Sequence, residues 1–454
     1  MMLSTKNPKE KLVAIKSVID INLLETLAKK YWQLILNSVS PTKKQLMKIF
    51  YFFLIFGLFS CEVLAAEDVK PGILKQLIEE NAEEISEQEK SSFKPKLTNR
   101  LVLDVNLDDE YQSTDRKREY NDVYGRMRLF SGYNFAKNFS LNSFIRIDPV
   151  YQSSEIARRN NLVNGGGDSS FENEGLFLEE LNLTYNGKKH AFVLGKFDLN
   201  FGTAWRWNRG IWTYNIAENY RQNEKLGVNG IYRLGNAKTT GLYEFSYGIF
   251  KNDRKNLDNS LITDRDSNSK SDAIAGDSGG LQSYITSLDI NFDFSQQEKL
   301  SYHFSYINLD VNSRASLVNP NKITDQKGFV AGMNYKYPVQ KNYIIDGLLE
   351  YAAIKNLNGN SDVGEKYLTA NVINRFYENW NVTLGYANRD NSHVGQYGFT
   401  SNLTEISMGY EFLKNSFFDK LLFQIGYKNQ RDNFGNSLET RNVLGALMRY
   451  QKNF

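Results

Sequence analysis

Residues 101–108 read Leu101-Val102-Leu103-Asp104-Val105-Asn106-Leu107-Asp108, and this stretch decides the fold. Leu101, Leu103, Val105 and Leu107 take every second place, with Arg100, Asp104, Asn106 and Asp108 between them. A period of two with one apolar and one wet face is a β-strand. The pattern returns with Val123, Met127, Leu129, Tyr133 and Phe135 against Tyr124, Arg126, Arg128 and Asn134. Counted onward from residue 99 to Phe454, sixteen segments repeat it, the clearest later ones being 284–294, 300–306, 329–337, 380–386, 421–427 and 444–454.

The connections sort by parity. Short ones fall at 136–137, 187–189, 235–238, 295–299, 338–342, 377–379 and 413–420. Long polar ones fall between them at 152–174, 200–225, 251–281, 310–327 and 388–403. Short turns on one side and long loops on the other are the mark of a transmembrane β-barrel, whereas a soluble sandwich has no cause to sort them. Strands entering the short turns end in outward aromatics: Tyr133 and Phe135, Tyr185, Tyr232, Phe292 and Phe294, Tyr335 and Tyr337, Phe376, Tyr410 and Phe412, Tyr450 and Phe454. On a closed cylinder these rings form an interfacial girdle. The expected fold is all-β: a transmembrane antiparallel β-barrel of 16 strands over 99–454, preceded by a short N-terminal periplasmic helix or linker over 67–98.

Composition agrees and excludes other classes. With 27 Tyr, 29 Phe and only 7 Pro in 454 residues, the chain is rich in strand-forming aromatics and poor in breakers. A mean hydropathy of −0.49 rules out a helical transporter. A single Cys excludes a disulfide scaffold and a zinc-thiolate site.

Residues 47–66 resemble a signal peptide: Met47-Lys48, an apolar run from Ile49 to Phe59, then small residues at Ala65 and Ala66. Residues 1–46 are then expected to be an upstream extension from a mis-called start. Leu58-Phe59-Ser60-Cys61 also fits a lipidation site at Cys61, and both readings stand. Residues 1–66 hold 9 Lys and 4 acidic residues, so the formal charge of +3 falls to −2 without them, and the case for a nucleic-acid partner goes too.

A sixteen-stranded barrel leaves a water-filled interior, so its inward side chains decide what it can do. Parity places eleven basic and twelve acidic residues inward, which gives no overall ion sign. Arg126, Arg128 and Arg146 fall on one patch. They either form a charged filter or are neutralised by Asp104, Asp108 and Asp148. The long loop 200–225, the third on its side of the barrel, carries Trp205, Trp207 and Trp212 with Arg206, Arg209, Glu218 and Arg221. Three indoles do not normally face bulk water. The loop is expected to fold into the barrel and narrow it, or else to meet a neighbouring subunit or the outer interface.

A terminal Phe454 on a strand with alternating Leu444, Ala446, Met448 and Tyr450 resembles the insertion signal of Gram-negative outer-membrane barrels, and implies recognition of Tyr450 and Phe454 by the barrel assembly machinery. The run 195–202, Gly-Lys-Phe-Asp-Leu-Asn-Phe-Gly, leading into the third loop is similar to that of the porin superfamily, most closely its phosphate-selective branch. The resemblance implies a pore constricted by the third extracellular loop, basic lining at Lys196, Arg206, Arg209 and Arg221, and a homotrimer in outer-membrane lipid. Asp198 and Glu218 depart from a purely basic lining. The expected function is passive diffusion of small hydrophilic solutes or ions across the bacterial outer membrane, the alternative being a barrel that displays its loops as antigen or adhesin.

Catalytic chemistry is not expected. His190 lies at a short turn, His303 points inward and His393 lies in a loop, so no Ser and His share the lipid face of a hydrolase. Asp264, Asp266 and Asn268 imitate a calcium loop, but Ser269 and Ala275 occupy its glycine and bidentate positions. Gly165-Gly166-Gly167 lacks the lysine of a phosphate loop. No metal or cofactor is implied.

Overall fold

The computed structural model describes residues 93–114, 119–149, 168–171, 174–207, 210–253, 275–276, 280–311, 323–377, 379–393, 398–412 and 420–454. The signal segment, the lipidation alternative, the 67–92 helix, the glycine run and the calcium-like residues 264–269 lie outside them, as does Arg209.

Sixteen antiparallel strands close on themselves. In chain order they are β1 (Lys96–Ser113), β2 (Tyr120–Ala136), β3 (Phe139–Pro149), β4 (Glu174–Asn186), β5 (His190–Phe197), β6 (Lys225–Asn236), β7 (Gly241–Asn252) and β8 (Ser283–Asp293). The second half is β9 (Lys299–Leu309), β10 (Gln326–Gln340), β11 (Tyr343–Lys355), β12 (Val363–Phe376), β13 (Trp380–His393), β14 (Phe399–Phe412), β15 (Leu421–Asn433) and β16 (Leu438–Asn453). Each pairs with its sequence neighbours, and β1 pairs with both β2 and β16. The last residue seals the seam: Asn99 N–H donates to the Phe454 carbonyl at 2.8 Å, and Phe454 N–H to the Asn99 carbonyl at 2.9 Å. A closed sheet has no unsatisfied edge, which is what lets strands cross hydrocarbon.

Burial is inverted relative to a soluble sheet. On β14, Ile406 and Met408 are 49% and 41% exposed while Glu405 and Ser407 are 1% exposed. On β13, Leu384 and Tyr386 face out while Thr383 and Ala387 are buried. An apolar outer face around a polar interior belongs to a barrel in a bilayer. The girdle forms real ring contacts at the short-turn end, including Phe139 with Tyr185 at 5.1 Å and Trp380 with Tyr410 at 4.8 Å. Among the described residues no helix is long and apolar enough to span a membrane.

Four details differ from the sequence reading. β1 begins at Lys96, three residues before the expected boundary. The loop expected over 388–403 is mostly strand, because β13 runs to His393 and β14 starts at Phe399, so His393 ends a strand. Residues 169–170 of the second loop add a two-residue parallel pairing to β2. The β3–β4 register slips between Phe144 and Ile145, which pair with Glu180 and Leu178. Glu179 is the extra residue of that bulge and is buried beside Glu180, an orientation strict alternation denies it.

Candidate functional site: the inward-folded loop and the charged wall

The connection from β5 to β6 folds against the inner wall rather than away from the barrel. It carries two short helices, α1 (Ala204–Trp207) and α2 (Thr213–Glu218). The first N–H groups of a helix lack partners within it and need an acceptor. Two wall carboxylates supply it. Glu350 of β11 accepts from Thr203 N–H at 2.7 Å, Thr203 Oγ1 at 2.6 Å, Ala204 N–H at 3.0 Å and the Tyr220 hydroxyl at 2.5 Å. Glu405 of β14 accepts from the N–H groups of Ile211, Trp212 and Thr213 at 2.5, 2.9 and 2.8 Å, and from Thr213 Oγ1 at 2.6 Å. α2 has no side-chain cap of its own, so the wall acts as the cap. Burial pushes the Tyr220 hydroxyl well above the ordinary tyrosine range, and the Glu350 carboxylate adds to the effect.

Other wall groups extend the attachment. Gly202 N–H donates to His303 Nε2 at 3.2 Å, and His303 Nδ1 meets Asp289 Oδ1 at 2.9 Å. The acceptor role of Nε2 fixes the proton on Nδ1, directed at Asp289. Asn200 Nδ2 donates to Asp289 Oδ2 at 2.7 Å, and Trp212 Nε1 to Asp108 Oδ1 at 2.9 Å. Asp108 therefore holds the loop. Gly202 sits at φ +81°, where a Cβ would lie 2.6 Å from the Tyr220 ring, so only glycine turns the chain there.

Phe201, Ala204, Trp207, Ile211, Trp212, Ile216, Ala217 and Tyr220 are buried in one cluster with wall residues. The wall makes room with inward glycines. A Cβ at Gly328 would lie 2.6 Å from the Phe201 ring, and one at Gly426 would lie 3.1 Å from Ile211 Cδ1. Gly385 and Gly445 do the same under Thr213 and Trp212. Trp207 and Trp212 thus pack on the wall. Trp205 is only partly buried and stacks between two guanidinium groups, Arg206 at 4.5 Å and Arg221 at 4.2 Å from its ring.

Facing the loop, β1 to β4 and β16 carry ion pairs. Arg126 Nε lies 3.1 Å from Asp148, and an Arg126 Nη1 donates to the Tyr214 hydroxyl. Arg146 reaches Glu179 at 3.1 Å and Asp148 at 3.6 Å. Arg221 bonds Asp198 through Nε at 3.1 Å and also pairs with Glu179. These carboxylates hold the Arg221 guanidinium above its ordinary range although burial opposes it. Burial pushes the Tyr214 hydroxyl up to about 12 against the pull of Arg126. Glu218 is half-buried at the end of α2, within the electrostatic reach of Arg126 and Arg221. Lys196 borders this group, buried between Glu224 at 3.1 Å and Asp253 at 3.5 Å, and Glu224 N–H donates to Asp198 at 3.2 Å.

Asp104 serves two cations. Arg128 pairs with it, and Arg449 reaches it at 2.7 Å. These two side chains keep 31% and 32% exposure, against 10% for Arg126 and 13% for Arg146. Arg128 and Arg449 are therefore more open to the lumen than Arg126 and Arg146, as is Arg375 of β12, 35% exposed beside Asp346. Below the loop base, a small cavity of about 60 Å³, open to solvent, is lined by Asp198, Asn200, Arg206, Arg233, Glu244 and Asp289, among others. Among the described residues, no three His, Cys, Asp or Glu side chains are grouped to hold a metal ion.

Sequence parity places Glu350, Glu405, His303 and Arg449 inward but does not say that the first three fasten the loop or that the last shares Asp104. The inward glycines of β10, β13 and β16 were an available signal, because a strand position that faces water has no need to lose its side chain. The adjacent charges Glu179-Glu180 were the signal for the bulge.

No family model and no curated protein matches the chain. Among solved structures it is similar to the outer membrane channel DcaP of Acinetobacter baumannii, with 12% identity over 79% of this chain and 97% of that one, at a TM-score of 0.47. An anion-selective porin from Comamonas acidovorans gives 12% identity, 79% and 100% coverage and 0.45. The trimer form of OmpT, an outer membrane protein of Vibrio cholerae, gives 9%, 79% and 100%, and 0.44. Likenesses of this size set no residue's role in this chain.

Proposed function

We propose that the chain is a passive diffusion channel of the bacterial outer membrane, in which the β5–β6 loop narrows the lumen and small hydrophilic solutes pass between that loop and the arginine wall. The observation that carries this reading is the pair of wall carboxylates, Glu350 and Glu405, each holding the start of one loop helix through backbone N–H groups. A loop serving only as surface display has no use for such attachment to the lumen wall. Sixteen strands enclose enough width for an aqueous path beside the loop.

Selectivity is read as mild. Of the four basic positions drawn from the phosphate-selective resemblance, Lys196 is sealed in ion pairs, Arg206 and Arg221 flank Trp205, and Arg209 lies outside the described residues. Acidic groups alternate with them along the lumen, and the partly exposed guanidinium groups of Arg128 and Arg449 offer free surface to anions. Planar-bilayer recording of the refolded chain tests the reading. Discrete conductance steps are expected; a folded barrel that stays electrically silent would leave loop display as the function.

A further inference from the structure

The outer surface carries a charged feature separate from the lumen. At the extracellular ends of β10, β11 and β12, three outward lysines are exposed: Lys327, Lys355 and Lys366. The β10–β11 register sets Lys327 directly opposite Lys355. The β11–β12 register sets Lys366 opposite Ala353, one diagonal step from Lys355. Like charges at facing strand positions, with Cβ atoms about 5 Å apart, repel and are destabilising. None of the three has an ion-pair or hydrogen-bond partner among the described residues. Two carboxylates border the group without forming an ion pair with it. Asp390 is across from Lys366, and Asp325 accepts from Asn308, the residue opposite Lys327, at 3.2 Å.

The level of these lysines in the bilayer is set by the aromatic residues beside them. Phe329 faces out two residues nearer the membrane centre than the Lys327–Lys355 pair, and Tyr351 four residues nearer, at 45% and 40% exposure. On the preceding strands Tyr247, Tyr284 and Tyr306 continue the belt, with ring centroids 6.3 and 6.2 Å apart. Aromatic belts mark the boundary of the hydrocarbon. Two strand residues span roughly 7 Å, so the ammonium groups stand just beyond that boundary, at head-group depth.

We infer that Lys327, Lys355 and Lys366 form a docking site for the phosphorylated head group of an outer-leaflet lipid, whose acyl chains lie along the apolar strand faces below. A phosphate between Lys327 and Lys355 turns a repulsive pair into a bidentate clamp, and Lys366 reaches a second phosphate on the same head group. The inference rests on the outer-membrane location proposed above but not on conduction.

Native mass spectrometry of the full refolded chain in detergent tests it, with diphosphoryl lipid A, its fully dephosphorylated form and inorganic phosphate as separate probes. Retention of diphosphoryl lipid A is expected, with affinity falling on the order of a hundredfold in the Lys327→Gln/Lys355→Gln/Lys366→Gln variant, since each basic group near a charged head group contributes about a factor of five. Lys238→Gln, in a short turn at the opposite end, is expected to bind as the unaltered chain does. Equal retention of the dephosphorylated lipid would overturn the proposal without any mutation, so a folding defect in the triple variant cannot protect it. Release by millimolar inorganic phosphate would also overturn it, by showing a site for a free anion. A silent barrel that still retains the lipid would remove the channel reading and leave this one standing.

Discussion

The wall from β9 to β14 and the wall from β16 round to β4 both bury ionised side chains, but with different partners. On the first, Glu350 and Glu405 meet backbone N–H groups of the loop. On the second, Asp104, Asp148 and Glu179 meet guanidinium groups on flexible stems. A backbone donor is fixed by the chain around it, so the first arrangement sets a position. A guanidinium keeps donors to spare after one carboxylate is satisfied, so the second can still meet a solute. One wall holds the loop in place and the other presents charge.

The largest effect should follow from removing an anchor. In Glu405→Ala, three N–H groups and the hydroxyls of Thr213 and Ser407 lose their acceptor in a buried site, where each orphaned donor costs roughly 1–3 kcal/mol. The start of α2 then leaves the wall. Single-channel conductance should rise and open-channel noise should grow. Unchanged steps would mean that the loop keeps its place without the carboxylate.

Gly445→Val tests the same wall by overpacking. A side chain there meets the Trp212 ring, at a cost of roughly 1–3 kcal/mol if the neighbours must shift. Collisional quenching of tryptophan fluorescence should increase as the indole is displaced. Gly347 serves as the control, because a Cβ there meets only the Tyr335 carbonyl at 3.9 Å. Gly347→Val should leave quenching unaltered.

On the charged wall the effect should appear in ion sign. Replacing Arg128 and Arg449 with Gln removes two guanidinium groups of this wall that are about one third exposed and should move the reversal potential in a salt gradient toward cation preference. Arg126→Gln should move it less, since that side chain is 10% exposed and tied to Asp148. If Arg126→Gln matched the double variant, exposure would not be what ranks these groups.

The barrel was legible because lipid on one face and water on the other impose a period of two on every strand, as in 101–108 and 123–135. The loop's role was legible only in outline. Its tryptophans signalled burial, but their partners Glu350 and Glu405 are bound through backbone N–H groups, which no residue type announces. Alternation also fails where the backbone departs from it. The bulge at Glu179 turned a residue of the lipid-facing parity inward, and the pairing of Arg146 and Arg221 with it could not be counted from spacing.

The smallest effect should come from the loop's own charges, and it bears most directly on which side selects. Trp205 stacks between Arg206 and Arg221, an arrangement worth about 0.5–2 kcal/mol per cation depending on desolvation. Arg221 has a second hold in Asp198 and Glu179, whereas Arg206 has the Asn200 side chain at 2.9 Å and a weaker contact at the Gly202 carbonyl. In Trp205→Leu, Arg221 should therefore stay and Arg206 should loosen, with a reversal-potential shift smaller than that of the Arg128 and Arg449 pair. Adding Arg206→Gln to Trp205→Leu should change selectivity less than Arg206→Gln does alone, the mark of two groups acting as one. A shift in Trp205→Leu as large as on the arginine wall would assign selection to the loop, and the division between a wall that positions and a wall that presents charge would fail.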